Sequence, residues 1–235
     1  MAPATMYLQY WIIVLETTQV ITFFFFCWMI WKSNMAARVF PDVENSLIAL
    51  ADSMWDKSKY FANHGKRVSL MCAAVCDALK MRSQDRKNII AAGLLHDIGK
   101  IYTDEAVLHK SDKLTDVEWE QMKLHTVKGS ALLRKFSSID SDIVTGVLYS
   151  HEHYDGTGYP LGLTGTNIPI AARIIHICDS IDSMAMGRAY KAPMKWEDIM
   201  QDLKDHSGTW YDEEIIKPCT NGLSRRLRLI ILSNR

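Results

Sequence analysis

His96 and Asp97 stand side by side at the end of an apolar run (Ile89, Ile90, Ala91, Ala92, Leu94, Leu95), with Gly99 and Lys100 directly after. An imidazole nitrogen and a carboxylate oxygen both suit divalent transition metals. Two neighbouring ligands cannot fill a coordination shell, so further donors must come from elsewhere in the chain. His64 lies upstream; His125, His151 and Asp179 lie downstream. A lone His-Asp pair means little. A His-Asp pair joined by further His and Asp residues, each at a helix end or on an apolar helix face, points to a metal centre.

The elements that must position these residues read as helices. A helix is expected over about 43–55, where Val43, Leu47, Leu50, Ala51, Met54 and Trp55 keep helical spacing. A second runs from about Tyr60 to Met81 with His64 in its first turns, and a third from about Gln84 to His96. The stretch from Gly99 to Lys113 breaks into a polar loop. Thr115-Asp116-Val117-Glu118 is a capping-box pattern. It opens a helix that carries His125 to about Phe136, and another begins near Asp140 or Asp142 and leads to His151.

His151-Glu152-His153-Tyr154-Asp155-Gly156-Thr157-Gly158-Tyr159-Pro160 holds two glycines and a proline and reads as a structured loop. Ile168 to Met186 is helical again, with His176, Asp179 and Asp182 at three-residue intervals on one broad face. A last helix covers about Lys195 to His206, and 221–235 reads as an irregular basic and apolar tail. No alternating pattern is long enough for a sheet, so the fold class is all-α.

Charge balances at 27 basic against 27 acidic residues, which gives no electrostatic case for duplex nucleic acid as a partner. Cys27, Cys72, Cys76, Cys178 and Cys219 make an odd count without CxxC spacing, and read as buried small hydrophobes in a reducing compartment. Residues 6–31 carry one charge, Glu16, and four consecutive phenylalanines, Phe23 to Phe26. As a helix they would span about 39 Å, enough for a hydrocarbon core of about 30 Å with tilt. Lys32 and Arg38 follow, whereas residues 1–5 have no charged side chain. The positive-inside rule then puts the rest of the chain in the cytoplasm. The division expected is a membrane anchor over 1–34, a catalytic domain over 35–220 and the tail over 221–235. The alternative for 1–34 is a buried or dimerising apolar helix in a cytoplasmic protein.

The order His64, His96-Asp97-Ile98-Gly99-Lys100, His125, His151-Glu152, Asp155-Gly156-Thr157-Gly158-Tyr159-Pro160, Asp179 and Arg188-Ala189-Tyr190-Lys191 resembles the HD-GYP family. This is a branch of the HD-domain metal-dependent phosphohydrolases. The resemblance covers about Val43 to Cys219 and implies an HD-domain helical bundle. It further implies hydrolysis of cyclic di-GMP to pGpG or GMP at a centre of two divalent ions, iron or manganese, with no organic cofactor. Such a centre lowers the pKa of a bridging water, giving a hydroxide, and clamps the phosphoryl group.

By the family pattern His64, His96, Asp97 and Asp179 take the first metal, with Asp97 bridging to a second held by His125 and His151. Asp97 and Lys100 are then the catalytic pair. Lys100, Tyr159, Arg188 and Lys191 meet the substrate, and Asp182 orients a ligand histidine. His153 and His176 read as hydrogen-bonded or surface residues instead of ligands; His109 and His206 read as loop and surface histidines.

Three departures bear on this. Ser150 replaces the first histidine of the family's HHE motif and takes one imidazole from the second metal. Tyr60 stands where an optional third-metal glutamate would be. Ala189 replaces a usual proline. The leading expectation is a membrane-anchored, cytoplasm-facing cyclic di-GMP phosphodiesterase. Its rivals are a catalytically weakened domain acting as a nucleotide-binding or interaction module, and a phosphohydrolase of another nucleotide. A homodimer or a signalling partner protein is left open.

Overall fold

A computed structural model of the chain describes residues 63–187 and 192–234, all within the unit Ser46–Arg235. The expected helix over 43–55, Tyr60, the apolar segment 6–31, Arg188 and Lys191 lie outside the described residues.

The spacing of Val68, Met71, Cys72, Val75 and Cys76 winds into α1, His64–Ala78, and all five side chains are buried. A short turn leads to α2, Ser83–Leu95. α1 packs along α2 and also against the long helix α6, Ile170–Met186. α6 is buried on most of its sides: Ile174, Ile175, Ile177, Cys178 and Ile181 are fully buried, and His176, Asp179 and Asp182 are buried with them. Each such apolar side chain contributes about 1.5–3 kcal/mol on burial, so these helices form the rigid centre of the domain.

Between α2 and the next long helix the chain is more ordered than its polarity suggests. Ile98–Tyr102 makes a 3-10 turn, and Asp104 accepts a hydrogen bond from Ala106 N to cap a short helix α3, Glu105–Leu108. Thr115 and Glu118 form the expected capping box and open α4, Asp116–Leu133. Asp140 caps α5, Ser141–Leu148, which packs on α2, α4 and α6. The 3-10 turn lies against α4. A Cβ on Gly99 would sit 1.8 Å from His125 O, so only glycine fits there.

The C-terminal part continues with α7, Trp196–Asp205, and α8, Glu213–Thr220. The expected irregular tail is instead a helix, α9, Ser224–Ser233, which buries Leu227 and Ile231 against the bundle. Its basic residues sit between those apolar positions at helical spacing, so one stripe packs while the charges stay out. Among the described residues no strand forms beyond two isolated bridges, and no helix is long and apolar enough to cross a membrane. Cys72, Cys76, Cys178 and Cys219 are buried and free, as expected. Burial pushes the Cys76 and Cys219 thiols up to about 12, so they stay protonated and are poor ligands.

Candidate metal centre

Each candidate ligand sits where a helix begins, ends or turns inward. His64 is the first residue of α1, and His96 and Asp97 directly follow α2. His125 faces inward from α4, and His151 lies three residues past the end of α5. Asp179 is in the middle of α6.

His64, His96 and His125 are held so that one nitrogen of each ring is left for the centre. Donation from Nδ1 to Gly93 O (2.8 Å) fixes His96, and donation from Nδ1 to Met122 O (2.7 Å) fixes His125. His64 Nδ1 lies 2.7 Å from Asp182 Oδ2. With Nδ1 engaged, Nε2 is the ligand-capable atom. His64 Nε2 lies 3.3 Å from His96 Nε2, 3.3 Å from Asp179 Oδ1 and 3.6 Å from Asp97 Oδ2. On the other side Asp97 Oδ1 lies 3.4 Å from His125 Nε2, and the His125 and His151 rings meet edge to face at 5.0 Å.

Two donor groups result, His64–His96–Asp179 and Asp97–His125–His151, the ligand atoms of each within 4.8 Å of one another. They abut at Asp97, whose Oδ1 lies near both His125 Nε2 (3.4 Å) and His96 Nε2 (3.7 Å) and whose Oδ2 lies near His64 Nε2 (3.6 Å). All six positions assigned as ligands from the sequence come together.

The donor set fits divalent ions. Asp97 Oδ1, His125 Nε2 and His151 Nε2 are buried and have no hydrogen-bond partner. Buried polar atoms are normally satisfied, and three converging orphans of ligand type are what a cation would complete. Burial lowers His125 to about 4 and holds His151 well below its ordinary value, so both rings are neutral and keep a lone pair at neutral pH. For Asp97 and Asp179 burial works against ionisation. Lys100 and the surrounding histidines outweigh it at Asp97, and His64 and His96 do so at Asp179, holding both carboxyls well below the usual range.

Lys100 Nζ lies 2.5 Å from Asp97 Oδ2 and is buried with it. Tyr159 stacks on the His151 ring at 5.0 Å and meets exposed Trp119 edge to face at 6.2 Å. Asp182 is buried beside His64, in the orienting place expected of it.

Arg67 was not singled out in the sequence, and the structure adds roles for Glu152 and Ser150. Arg67 is buried and donates to both oxygens of Asp182. Glu152 accepts from Leu161 N (2.7 Å) and Leu163 N (3.0 Å), so it folds the glycine-rich loop instead of binding metal. Ser150 points its hydroxyl at Val147 O (3.0 Å). His153 is hydrogen-bonded to Thr157 Oγ1, as expected, and His109 is exposed. His206 is half-buried, stacked on Trp210 at 4.1 Å. His176 is neither exposed nor well hydrogen-bonded, contrary to expectation: it is buried on α6 beside the His151, His153 and Tyr211 rings.

The model of one protein family, described as HD domain, matches residues 49–215. A 3'3'-cGAMP-specific phosphodiesterase of Vibrio cholerae is 31% identical over 172 residues, covering 72% of this chain and 32% of that protein. A cyclic di-GMP phosphodiesterase of Thermotoga maritima is 32% identical over 187 residues, covering 77% of this chain and 51% of that protein. The chain thus spans about a third to a half of the length of these relatives. The solved structure of an HDG"Y"P protein from Bdellovibrio bacteriovorus superposes with a TM-score of 0.57 at 20% identity, covering 68% of this chain and 51% of that one. That likeness shows the same fold.

Proposed function

The chain belongs to the HD-domain family, in its HD-GYP branch, and from that premise we propose that it hydrolyses the phosphodiester bond of cyclic di-GMP, to pGpG or GMP, with two divalent ions of iron or manganese. The observation that carries this reading is the abutment of two largely buried donor groups at one carboxylate, Asp97. The names of the relatives, cyclic di-GMP and 3'3'-cGAMP phosphodiesterases, support a cyclic dinucleotide as the substrate class.

His64, His96 and Asp179 would hold one ion, His125 and His151 the other, and Asp97 would give an oxygen to each. Two such ions supply a hydroxide nucleophile at neutral pH and neutralise charge on the phosphate oxygens. Around them the chain does the positioning. Asp182 and Arg67 fix the His64 ring, and Gly93 O and Met122 O fix those of His96 and His125. Lys100, held on Asp97, places an ammonium beside the reacting phosphate, where it pairs with an equatorial oxygen or gives its proton to the leaving ribose oxygen. Tyr159, stacked on His151, offers a face to a base, and Arg188 and Lys191 take the remaining phosphate charge.

A second reading rests on Ser150, whose hydroxyl is turned to Val147 O. With no ligand from that position, the domain would be a catalytically weakened module that binds nucleotide or a partner. One experiment separates the two. The full chain, purified anaerobically, is analysed for metal and assayed with cyclic di-GMP and 3'3'-cGAMP in iron and in manganese. The phosphodiesterase requires close to two ions per chain and turnover lost on chelation. One ion or none, with nucleotide bound but not cleaved, makes the chain a binding module. Residues 6–31 would tether the domain to the inner membrane. Recovery of the full chain in the soluble fraction without detergent would overturn that part.

A further inference from the structure

α6 presents His176 one turn before Asp179, on the helix face that also carries Arg173, Asp179 and Ser180. The ring is only 7% exposed. No well-formed hydrogen bond reaches either of its nitrogens, although a Ser150 backbone group lies close enough to act weakly on it. A neutral imidazole always carries one N–H and one lone pair. Burying both unmatched costs on the order of 1–3 kcal/mol, so a histidine kept in such a place calls for a partner that forms at another stage.

The surroundings indicate which partner. The His151 ring is 6.4 Å away, edge to face, and Asp179 on the same helix belongs to the adjoining donor group. On its other sides the ring meets His153 at 5.0 Å and Tyr211 at 5.3 Å. His153 already spends Nδ1 on Thr157. Ser150, directly before His151, has turned its side chain to Val147 O and gives nothing to the centre. So the group Asp97–His125–His151 is short of a donor on the side where an uncommitted imidazole stands.

We propose that His176 is a further ligand of the ion held by Asp97, His125 and His151, supplying from α6 the donor that Ser150 does not supply from the loop. The proposal rests on the two-ion reading above. The His176 nitrogens lie outside the group of atoms that fall within 4.8 Å of one another, so the ring must turn inward on loading. Rotation about a histidine χ2 is soft, which makes that adjustment inexpensive.

The test is a manganese titration of the full chain under anaerobic conditions, read as ions bound per chain and as the dissociation constant of each site. Wild type takes two ions. His176→Ala and the volume-filling His176→Leu should each keep the first ion and weaken the second at least about tenfold, the scale on which lost supporting groups act. Ser150→His added to His176→Ala should restore the second ion. Thermal melting in chelator reports folding separately: removal of an unmatched imidazole should leave the metal-free midpoint unchanged or raised. Two ions bound with unchanged affinity in His176→Leu overturns the proposal and leaves the two-ion reading intact. Fewer than two ions in wild type overturns that reading, and this ligand assignment falls with it.

Discussion

Arg67 grips Asp182 with two nitrogens, Nε at 2.5 Å from Oδ1 and Nη2 at 2.9 Å from Oδ2, and both side chains are buried. Asp182 passes the constraint on through Oδ2 to His64 Nδ1 at 2.7 Å. Arg67 Nη1 also donates to Asn234 O at 3.0 Å, which ties the end of α9 to the helix that bears His64. The His64 ring is therefore set by a buried relay that joins three helices.

Breaking this relay should be expensive. Arg67→Met keeps the aliphatic stem but takes the guanidinium from buried Asp182 and leaves it with His64. Removing one partner of a buried pair costs about 3–5 kcal/mol where the remaining charge is uncompensated; His64 still faces Asp182, so the loss should fall below that range. Urea unfolding of the metal-free chain measures this. A loss within experimental error of zero would mean that the pair is not closed in solution.

The metal-free protein should be most stable near pH 6.5 and weaken on both sides. Burial alone would lower His64, but hydrogen bonds to Asp179 and Asp182 more than reverse this and raise it to about 9. Its unfolded value is about 6.5, so its contribution is complete below that pH and is lost as pH rises through 9. Burial lowers His125 and His176 to about 4. Their contribution is complete above about 6.5 and is lost as pH falls through 4. His64→Gln should flatten the alkaline limb and leave the acid limb in place, as read from urea midpoints across pH. Manganese must displace the His64 proton, so calorimetric titration at pH 7.5 in buffers of different ionisation enthalpy should report proton release. Heats that do not depend on the buffer would contradict a protonated His64.

How much of this was legible in the chain depends on whether the signal was local. The Thr115–Glu118 capping box could be read directly because its partners are three residues apart. The six ligand positions could be read because their types and order repeat a family pattern. Arg67 could not, since a lone arginine in a helix reads as surface, and only the tertiary fold buries it against Asp182, 115 residues away. His176 failed for the same reason: its environment is made by Ser150, His151, His153 and Tyr211, three of them in one loop and one beyond α7. The tail was misread because Leu227 and Ile231 are too few to declare a helix without the groove that takes them. Arg188 and Lys191 carry over from the family pattern alone, outside the described residues.

Asp97 is the position where the two donor groups meet, so its loss should be felt by both. Asp97→Ala removes the shared carboxylate and the partner of Lys100 at once. We expect bound metal to fall to near zero and turnover to vanish, whereas removing a ligand of one group alone should spare the other ion. Metal analysis of Asp97→Ala beside His125→Ala makes the comparison. Turnover equal to wild type in Asp97→Ala would sink the ligand assignment.

Ser150→Ala should do almost nothing to metal content. The hydroxyl is spent on Val147 O, a helix-end carbonyl, so its loss costs about 0.5–1.5 kcal/mol of stability and no ligand. A fall in manganese stoichiometry in this variant would show that the serine turns inward and binds.

Gly99→Ala tests how tightly the centre depends on backbone packing. Gly99 follows Asp97 by two residues, and its Cα side is pressed against α4: an added Cβ would lie 1.8 Å from His125 O and 2.5 Å from Gly129 N. Backbone cannot yield as a flexible side chain can, so the 3-10 turn and α4 must part. That separation moves Asp97 away from His125, now 3.4 Å apart. Overpacking of this kind costs about 1–3 kcal/mol or more. The expected signature is a lowered melting temperature together with preferential loss of the ion at Asp97, His125 and His151, while His64, His96 and Asp179 still hold theirs. Equal loss of both ions would instead place the damage at α2, upstream of the turn, and a wild-type melting curve would mean that the turn and α4 are not in contact in solution.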